Sequence, residues 1–581
     1  LWQRFGESSV FLLYLVGAVA FTYPLVENLP RAVTDHVDPL LDAWTLAWEA
    51  HQLPRDPAHL FDANRFYPER GALAFHDPML ALGLALSPFL WVLDEPVLVV
   101  NLGMLLLIAL SGYGAYRLGA DVSGSSWAGA VAGSIFAFNS YRLDHLAHLQ
   151  LQSMGFIPLL YLCLRRYLSQ GSMRYAIGVG LFLWLTAASS AYYGIFTWIL
   201  LAVAIPCEVF RTASWKHSRR LLGLGLALAL SGLAYLPIAL PFMRLQSDFG
   251  LERPLVLLNR ASARPSDYLR SHSHLHAALG FPPASPERTL FPGVLALGLA
   301  GLALTRPNRS HLLYVLVGLV ALWASLGPGW GLYRFLHAAV PGLSGARVPP
   351  RMAIYVLMAV AILAAQGAAL LLHRLPAKAA PWTAGLLALV PFLESFSGPI
   401  GYIEAPPLPR VYEWVARLPE GTPLVELPLP PVKRQQENAV FLYWSTSHFL
   451  PLANGYGTVV PPVYTRIVAA ADALLAGAGP EKLAGFGFRY VLFHRDRYLR
   501  GRAMEIERRL DAERGLSAVH RTDDAVVYEI QSPRVRGELE GERVGAELLR
   551  RDLPADLDPP LPVELVLGDE RAPHRKPRRS E

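Results

Sequence analysis

The sequence predicts a polytopic α-helical membrane protein with a small C-terminal mixed α/β domain outside the membrane. Three observations predict it. The 581 residues are 53% hydrophobic and only 17% charged, against about a quarter charged in soluble domains. The charge is also sorted, nearly missing from a series of apolar runs and dense between them. A bilayer explains that pattern, whereas one large soluble core does not. After Phe396 the sequence turns polar and Pro-rich, and short strand patterns replace the long runs.

The spans come first. Crossing about 30 Å of hydrocarbon takes roughly 17–25 apolar residues, or somewhat fewer in a tight hairpin. Runs of that kind fall at 10–26, 97–118, 125–139, 151–167, 175–189, 191–210, 219–240, 289–305, 311–327, 351–372 and 381–397. A further run, 77–93, is ambiguous. Short basic loops carry Arg117; Arg165, Arg166 and Arg174; Arg211, Lys216, Arg219 and Arg220; Arg306 and Arg309; and Arg374 and Lys378, while Arg4 precedes the first run. Cytoplasmic loops collect Lys and Arg, so an even number of crossings must separate each of these from the next. Counting 77–93 as a span puts Arg165 and Arg166 outside, and leaving it out restores consistency. The run is therefore read as juxtamembrane or re-entrant, in keeping with Pro78 and Pro88. The scheme has about eleven spans, a cytoplasmic N-terminus and an external C-terminus. Ala18-Val19-Ala20 resembles a signal cleavage site, but cleavage there leaves the orientation unchanged. The chain begins at Leu1, which leaves its true start open.

Residues 1–400 then form the membrane domain, with a first external loop over 27–96 that holds juxtamembrane helices. Residues 401–555 form the external domain, with helices over 411–418 and 481–486 and strands over 423–427, 489–494 and 525–530. Residues 556–581 are charged, Pro-rich and read as disordered. The net charge of +6 does not point to nucleic acid, because the basic residues sit in short loops where topology accounts for them. Cys163 and Cys207 lie far apart and form no CxxC pattern, so neither a disulfide framework nor a thiolate metal site is expected.

Chemistry-bearing residues gather on the external side. The first loop carries Asp35, Asp38 and Asp42, followed by Trp44 and Trp48 on one helical face, as suits an interfacial helix. Asp38-Pro39 also reads as a helix cap followed by Pro at the first turn; a capping carboxylate can still face a cavity. A second cluster is Tyr141–Gln152. On one helix Asp144, His148 and Gln152 would share a face, with His145 beside them. Such polarity entering a span is costly unless it lines a wet cavity or forms a hydrogen-bonded network. His145 and His148 with a nearby Asp could hold a metal, but no second ligand set stands out. A third cluster, Arg347 and Arg351, suits a phosphate held by guanidinium forks; lipid-headgroup snorkelling is the plainer reading. Ser271–His276 alternates Ser and His before Leu275 and reads as a solvated loop. Asn454–Gly457 reads as a turn.

These pieces together resemble the GT-C superfamily of membrane glycosyltransferases, nearest to bacterial polytopic members whose first external loop reads Asp-Pro-Leu-Leu-x-Ala-Trp-x-Leu-Ala-Trp, here Asp38–Trp48. Matching pieces are His51-Gln52-Leu53, Phe61-Asp62-Ala63-Asn64, Phe66-Tyr67-Pro68 and His145–Gln150. The likeness runs to about residue 400. Beyond that it rests on Val425-Glu426-Leu427-Pro428 and Asn454-Gly455-Tyr456. The resemblance implies a bacterial cytoplasmic-membrane enzyme. Its donor is a polyprenyl-phosphate-linked sugar, and its acceptor is a glycan, lipid or protein on the external face. Transfer inverts the anomeric centre with Asp38 as general base, and membrane lipids are the surroundings. Asp144 matches a second acidic position after the third span. No adjacent Asp-Glu pair opens the loop, so Asp35 and Asp42 stay alternatives for the base, and participation of a divalent cation stays open. Arg142, His145, His148, Arg347 and Arg351 are the donor-phosphate candidates. The rival readings are a transporter or flippase of lipid-linked saccharides and a non-catalytic cell-envelope assembly protein. A transporter would favour internal repeats and charge near the midplane; here no repeat is evident and the charge lies at the external surface.

Overall fold

The computed structural model describes residues 6–249, 254–281 and 285–531; the expectation for 556–581 lies outside them. All eleven apolar runs are helical: Glu7–Phe21, Pro96–Ser123, Ser126–Ala137, Phe156–Gln170, Met173–Ser189, Ala191–Thr212, Ser218–Phe249, Val294–Leu304, Arg309–Ser325, Ala353–Leu372 and Ala380–Ser395. Pro96–Ser123, Ala191–Thr212, Ser218–Phe249 and the stretch Pro349–Leu372 are long and apolar enough to cross a membrane. The ambiguous run forms the helix Leu80–Leu93 with Pro88 inside it. Its 14 residues rise about 21 Å, short of the hydrocarbon thickness.

The chain divides into two compact units, one built from residues up to Ala63 together with Leu73–Pro407, the other from Asn64–Ala72 together with the chain from Leu408. In the first unit Ala353–Leu372 is the central helix. Its Ala361, Ala364, Ala365 and Ala368 are fully buried, and small side chains of this kind let helices approach closely in a membrane, where packing drives association. This helix meets its neighbour's backbone at Gly367: a Cβ there would lie 1.9 Å from the Leu299 carbonyl oxygen. Gly367→Ala is therefore expected to destabilise the fold by about 1–3 kcal/mol, read as a lower Tm in detergent; an unchanged Tm would contradict this helix crossing. At the other extreme Ser218–Phe249 exposes Leu222, Leu233 and Met243, an apolar surface suited to lipid. A two-residue ribbon, β1 (Ala32–Val33) against β2 (Ile403–Glu404), pairs antiparallel and ties the first loop to the segment after the last apolar helix.

In the second unit β3 (Leu424–Leu427) runs parallel to β4 (Tyr490–His494), and β5 (Leu516–Arg521) and β6 (Ala525–Ile530) complete a sheet of order β3-β4-β6-β5. Glu426 and His494 point to one face, where His494 Nε2 lies 2.8 Å from Glu426 Oε2 and the Tyr412 hydroxyl donates to the same oxygen. Asn454, expected in a plain turn, is buried. Its Oδ1 accepts the Glu426 N–H at 2.9 Å and its Nδ2 donates to Asn438 at 2.9 Å. The segment Asn64–Ala72 packs here through Arg65, whose buried guanidinium donates to the Ala72 and Tyr456 carbonyls.

Candidate active site

The site begins at the mouth of the helix Asp38–Gln52. Asp38 is its first residue, and Val37 before it holds the cap position without a side-chain hydrogen bond, so Asp38 is not the cap residue expected. Asp35 takes the backbone instead: its Oδ1 accepts the Val37 N–H at 2.8 Å. This separates the three carboxyls. Asp35 is engaged in holding the turn, and burial pushes its carboxyl up. Asp42, one helical turn beyond Asp38, is buried and accepts the Leu149 N–H at 2.8 Å. Burial, with Asp38 and Asp77 nearby, pushes its carboxyl well above the usual range. Asp38 is a third exposed, and its Oδ2 lies 3.6 Å from His148 Nε2. That distance is too long for a hydrogen bond. Burial pushes His148 down to about 4, against the opposing pull of Asp38, so a neutral imidazole faces the Asp38 carboxylate.

The segment carrying His148 departs from the single helix expected over Tyr141–Gln152. A four-residue helix, Ser140–Leu143, capped by the Asn139 side chain, is followed by a turn and a 3-10 stretch, Leu149–Gly155. The chain breaks because its polar side chains find partners in different directions. Asp144 does not share a face with His148: its Oδ1 accepts from His272 Nδ1 at 2.7 Å, and its Oδ2 accepts from the Thr289 hydroxyl. Arg142 is fully buried and donates to Gln152 Oε1 at 2.7 Å, which directs its guanidinium inward. His145 donates from Nδ1 to the Tyr141 carbonyl at 2.7 Å and brings Nε2 to 3.1 Å from Glu287 Oε2.

Glu287 is the junction. Arg351 meets its Oε1 with Nη2 at 2.6 Å and Nε at 3.1 Å. The Arg351 guanidinium also stacks over the Tyr192 ring at 4.8 Å, and the Arg347 N–H donates to the Tyr192 hydroxyl at 3.2 Å. Burial pushes the Glu287 carboxyl up, but the Arg351 and His145 charges outweigh it and hold it well below the usual carboxylate range. Asp77 completes the group, its Oδ2 accepting the Ala191 N–H at 3.0 Å. The structure thus brings Asp38, His148, His145, Arg351 and the Arg347 backbone into one cluster around Glu287 and Asp77. It keeps Asp35, Asp42, Arg142 and Asp144 in supporting positions at its edge.

Burial pushes the Asp77 carboxyl up to about 7, against the Ala191 hydrogen bond and the Arg351 charge. Between about pH 4 and pH 7 the unfolded chain loses this proton while the folded chain keeps it, so stability falls as pH rises through that window and levels off above it. Asp77→Asn, which can still accept the Ala191 N–H, is expected to flatten the Tm-against-pH curve in that window. A curve as steep as that of the parent would contradict the assignment.

Sequence reading missed Asp77, Glu287 and Tyr192. Asp77-Pro78 repeats the Asp-Pro signal of Asp38-Pro39 and could have been found that way; Glu287 lies in a loop without pattern. The Ser271–His276 loop is also not the solvated one expected, since Ser271, Ser273 and His276 are buried. His276 Nδ1 lies 2.7 Å from the Ser271 hydroxyl and Nε2 lies 3.0 Å from Glu394 Oε1. Two carboxylates, Asp144 and Glu394, pull this loop inward. Among the described residues no three His, Cys, Asp or Glu side chains are grouped so as to hold a metal ion.

No protein-family model matches the sequence, and no curated protein sequence matches it. Solved structures do. The cryo-EM structure of arabinofuranosyltransferase AftD from Mycobacteria aligns with a TM-score of 0.57 at 16% identity, over 91% of this chain and 42% of that one. The chain thus spans about two fifths of the length of AftD. Weaker alignments are to the archaeal oligosaccharyltransferase AglB from Archaeoglobus fulgidus (TM-score 0.41, 13% identity, 85% of this chain and 70% of that one) and to ArnT from Cupriavidus metallidurans (TM-score 0.36, 13% identity, 90% and 98%). At such identities the likeness speaks to architecture alone: the chain is a membrane protein by its apolar spanning helices, and it shares its fold with the aligned part of AftD.

Proposed function

We propose that the protein is a glycosyltransferase that moves a sugar from a polyprenyl-phosphate donor to an acceptor hydroxyl on the external face of a bacterial cytoplasmic membrane. The observation that carries this reading is the cluster itself: a partly exposed carboxylate, Asp38, with the Arg351 cation and the backbone of Arg347 gathered around one centre. In this reading the donor's tail lies in the bilayer and its phosphate reaches Arg347 and Arg351. The acceptor hydroxyl attacks the anomeric carbon, the bond from that carbon to the phosphate oxygen breaks, and polyprenyl phosphate leaves. The acceptor proton passes to Asp38. The arginines meet the charge growing on the departing phosphate. One displacement inverts the anomeric centre.

Of the three candidate carboxyls Asp35, Asp38 and Asp42, Asp38 is the one suited to be the base. Asp42 is buried on the Leu149 N–H with its carboxyl pushed up, and Asp35 is engaged with the backbone. His148, close to Asp38 and with its imidazole pushed toward the neutral form, adds no competing charge. Residues 401–555 stand as an external domain in this topology, with the N-terminus cytoplasmic and about eleven spans. The test is transfer of labelled sugar from a polyprenyl-phosphate donor in proteoliposomes of the full-length chain. Product of inverted configuration is expected. Transbilayer movement of the donor without transfer would favour a flippase and refute the enzyme reading.

A further inference from the structure

Glu287 occupies an anion site. Its carboxylate is met by the Arg351 fork at 2.6 and 3.1 Å and by His145 Nε2 at 3.1 Å. Both partners are almost completely buried, whereas the Glu287 side chain is 21% exposed. A planar guanidinium with an imidazole edge beside it is an arrangement that suits phosphate oxygens as well as carboxylates. Taking Glu287 away without a substitute would leave Arg351 buried and unpaired, which is strongly unfavourable. Water and neutral ligands therefore cannot take its place, but an anion can. Arg347 is exposed and its backbone N–H is tied to the Tyr192 hydroxyl, which adds a positive charge to this part of the surface. The loop that carries Glu287 is fixed just beyond it, where Thr289 donates to Asp144, so an exchange requires movement of the side chain and not of the loop.

We infer that Glu287 is an internal stand-in for a phosphate head group: a phosphate displaces its carboxylate from Arg351 and His145, which makes Glu287 the residue that sets how tightly, and how selectively, the site takes phosphate. The inference rests on the proposed function for the identity of that phosphate as the donor's, although its geometry does not depend on sugar transfer. No bond is made or broken; one anion replaces another on the same donors.

The test is a binding measurement on the full-length protein in nanodiscs of neutral lipid, with inorganic pyrophosphate as the probe. Glu287→Gln removes the competing charge and is expected to bind pyrophosphate about tenfold more tightly than the parent protein. It is also expected to recover thermal stability on adding the probe. Glu287→Gln combined with Arg351→Gln is expected to lose that gain. Should Glu287→Gln fail to fold, Glu287→Asp keeps the charge, shortens its reach, and is expected to gain about threefold. Adding polyprenyl phosphate to the nanodiscs separates the sources: competition with pyrophosphate assigns the site to a lipid-borne phosphate, and a gain without competition assigns it to a soluble one. Affinity no higher in either single variant, or a gain that survives loss of Arg351, overturns the inference. Because the readout is binding, either result stands apart from whether Asp38 supports transfer.

Discussion

Asp38→Asn is expected to lower sugar transfer by about 10²–10⁴-fold, the range lost when a positioned general base is removed. The amide keeps the size and much of the hydrogen bonding of the carboxylate, but it cannot accept the acceptor's proton. The fold should tolerate the change. Asp38 does not cap its own helix, and Asp35 holds the backbone at that point. Asp42→Asn is the informative companion. Its carboxyl is buried and pushed up, and an amide oxygen can still accept the Leu149 N–H, so its transfer rate should stay within a few-fold of the parent's. Initial rates at saturating donor, with correctly inserted protein verified by its Tm, separate the two. Undiminished transfer by Asp38→Asn, or a collapse confined to Asp42→Asn, would move the base elsewhere in the loop.

The second large effect is on stability. Arg351→Gln leaves Glu287 without its guanidinium in a nearly enclosed site, and breaking one side of a buried ion pair costs about 3–5 kcal/mol. Part of the loss comes from stacking, because the guanidinium also lies over Tyr192 at 4.8 Å. Arg351→Lys is expected to recover only part of it: a single ammonium cannot reproduce the contacts of Nη2 and Nε or the flat face presented to the ring. Thermal unfolding in detergent should rank parent, Lys and Gln in that order. Equal Tm for all three would mean that the Glu287–Arg351 pair contributes nothing to the fold.

Much of this architecture was legible in the sequence, for physical reasons. Long apolar runs have few fates, and all those singled out are helices. The Asp-Pro step marked the start of the Asp38–Gln52 helix to within one residue. Strands 423–427, 489–494 and 525–530 declared themselves through β-branched and aromatic residues. The helix Arg500–Ala512 escaped notice because its buried stripe is only Ala503, Ile506 and Leu510 in a highly charged stretch. The short strand β5 escaped because most of its residues are not buried. For the candidate site, sequence gave residue types but not partners. Asp144 and His148 looked like neighbours on a helix, yet Asp144 is drawn to His272 and Thr289, more than a hundred residues away. Arg142 and Arg351 looked alike, but one is turned inward to Gln152 while the other reaches Glu287. Such pairings arise between distant segments, and no local spacing encodes them.

A cryo-EM map of the full-length chain in nanodiscs loaded with polyprenyl phosphate bears most directly on the shared site. Phosphate density within hydrogen-bond reach of the Arg351 guanidinium, with Glu287 turned aside and the Asp38 carboxylate facing the same hollow, is the predicted result. Phosphate bound well away from Arg351, with the Glu287–Arg351 pair intact and Asp38 facing no ligand, would contradict it.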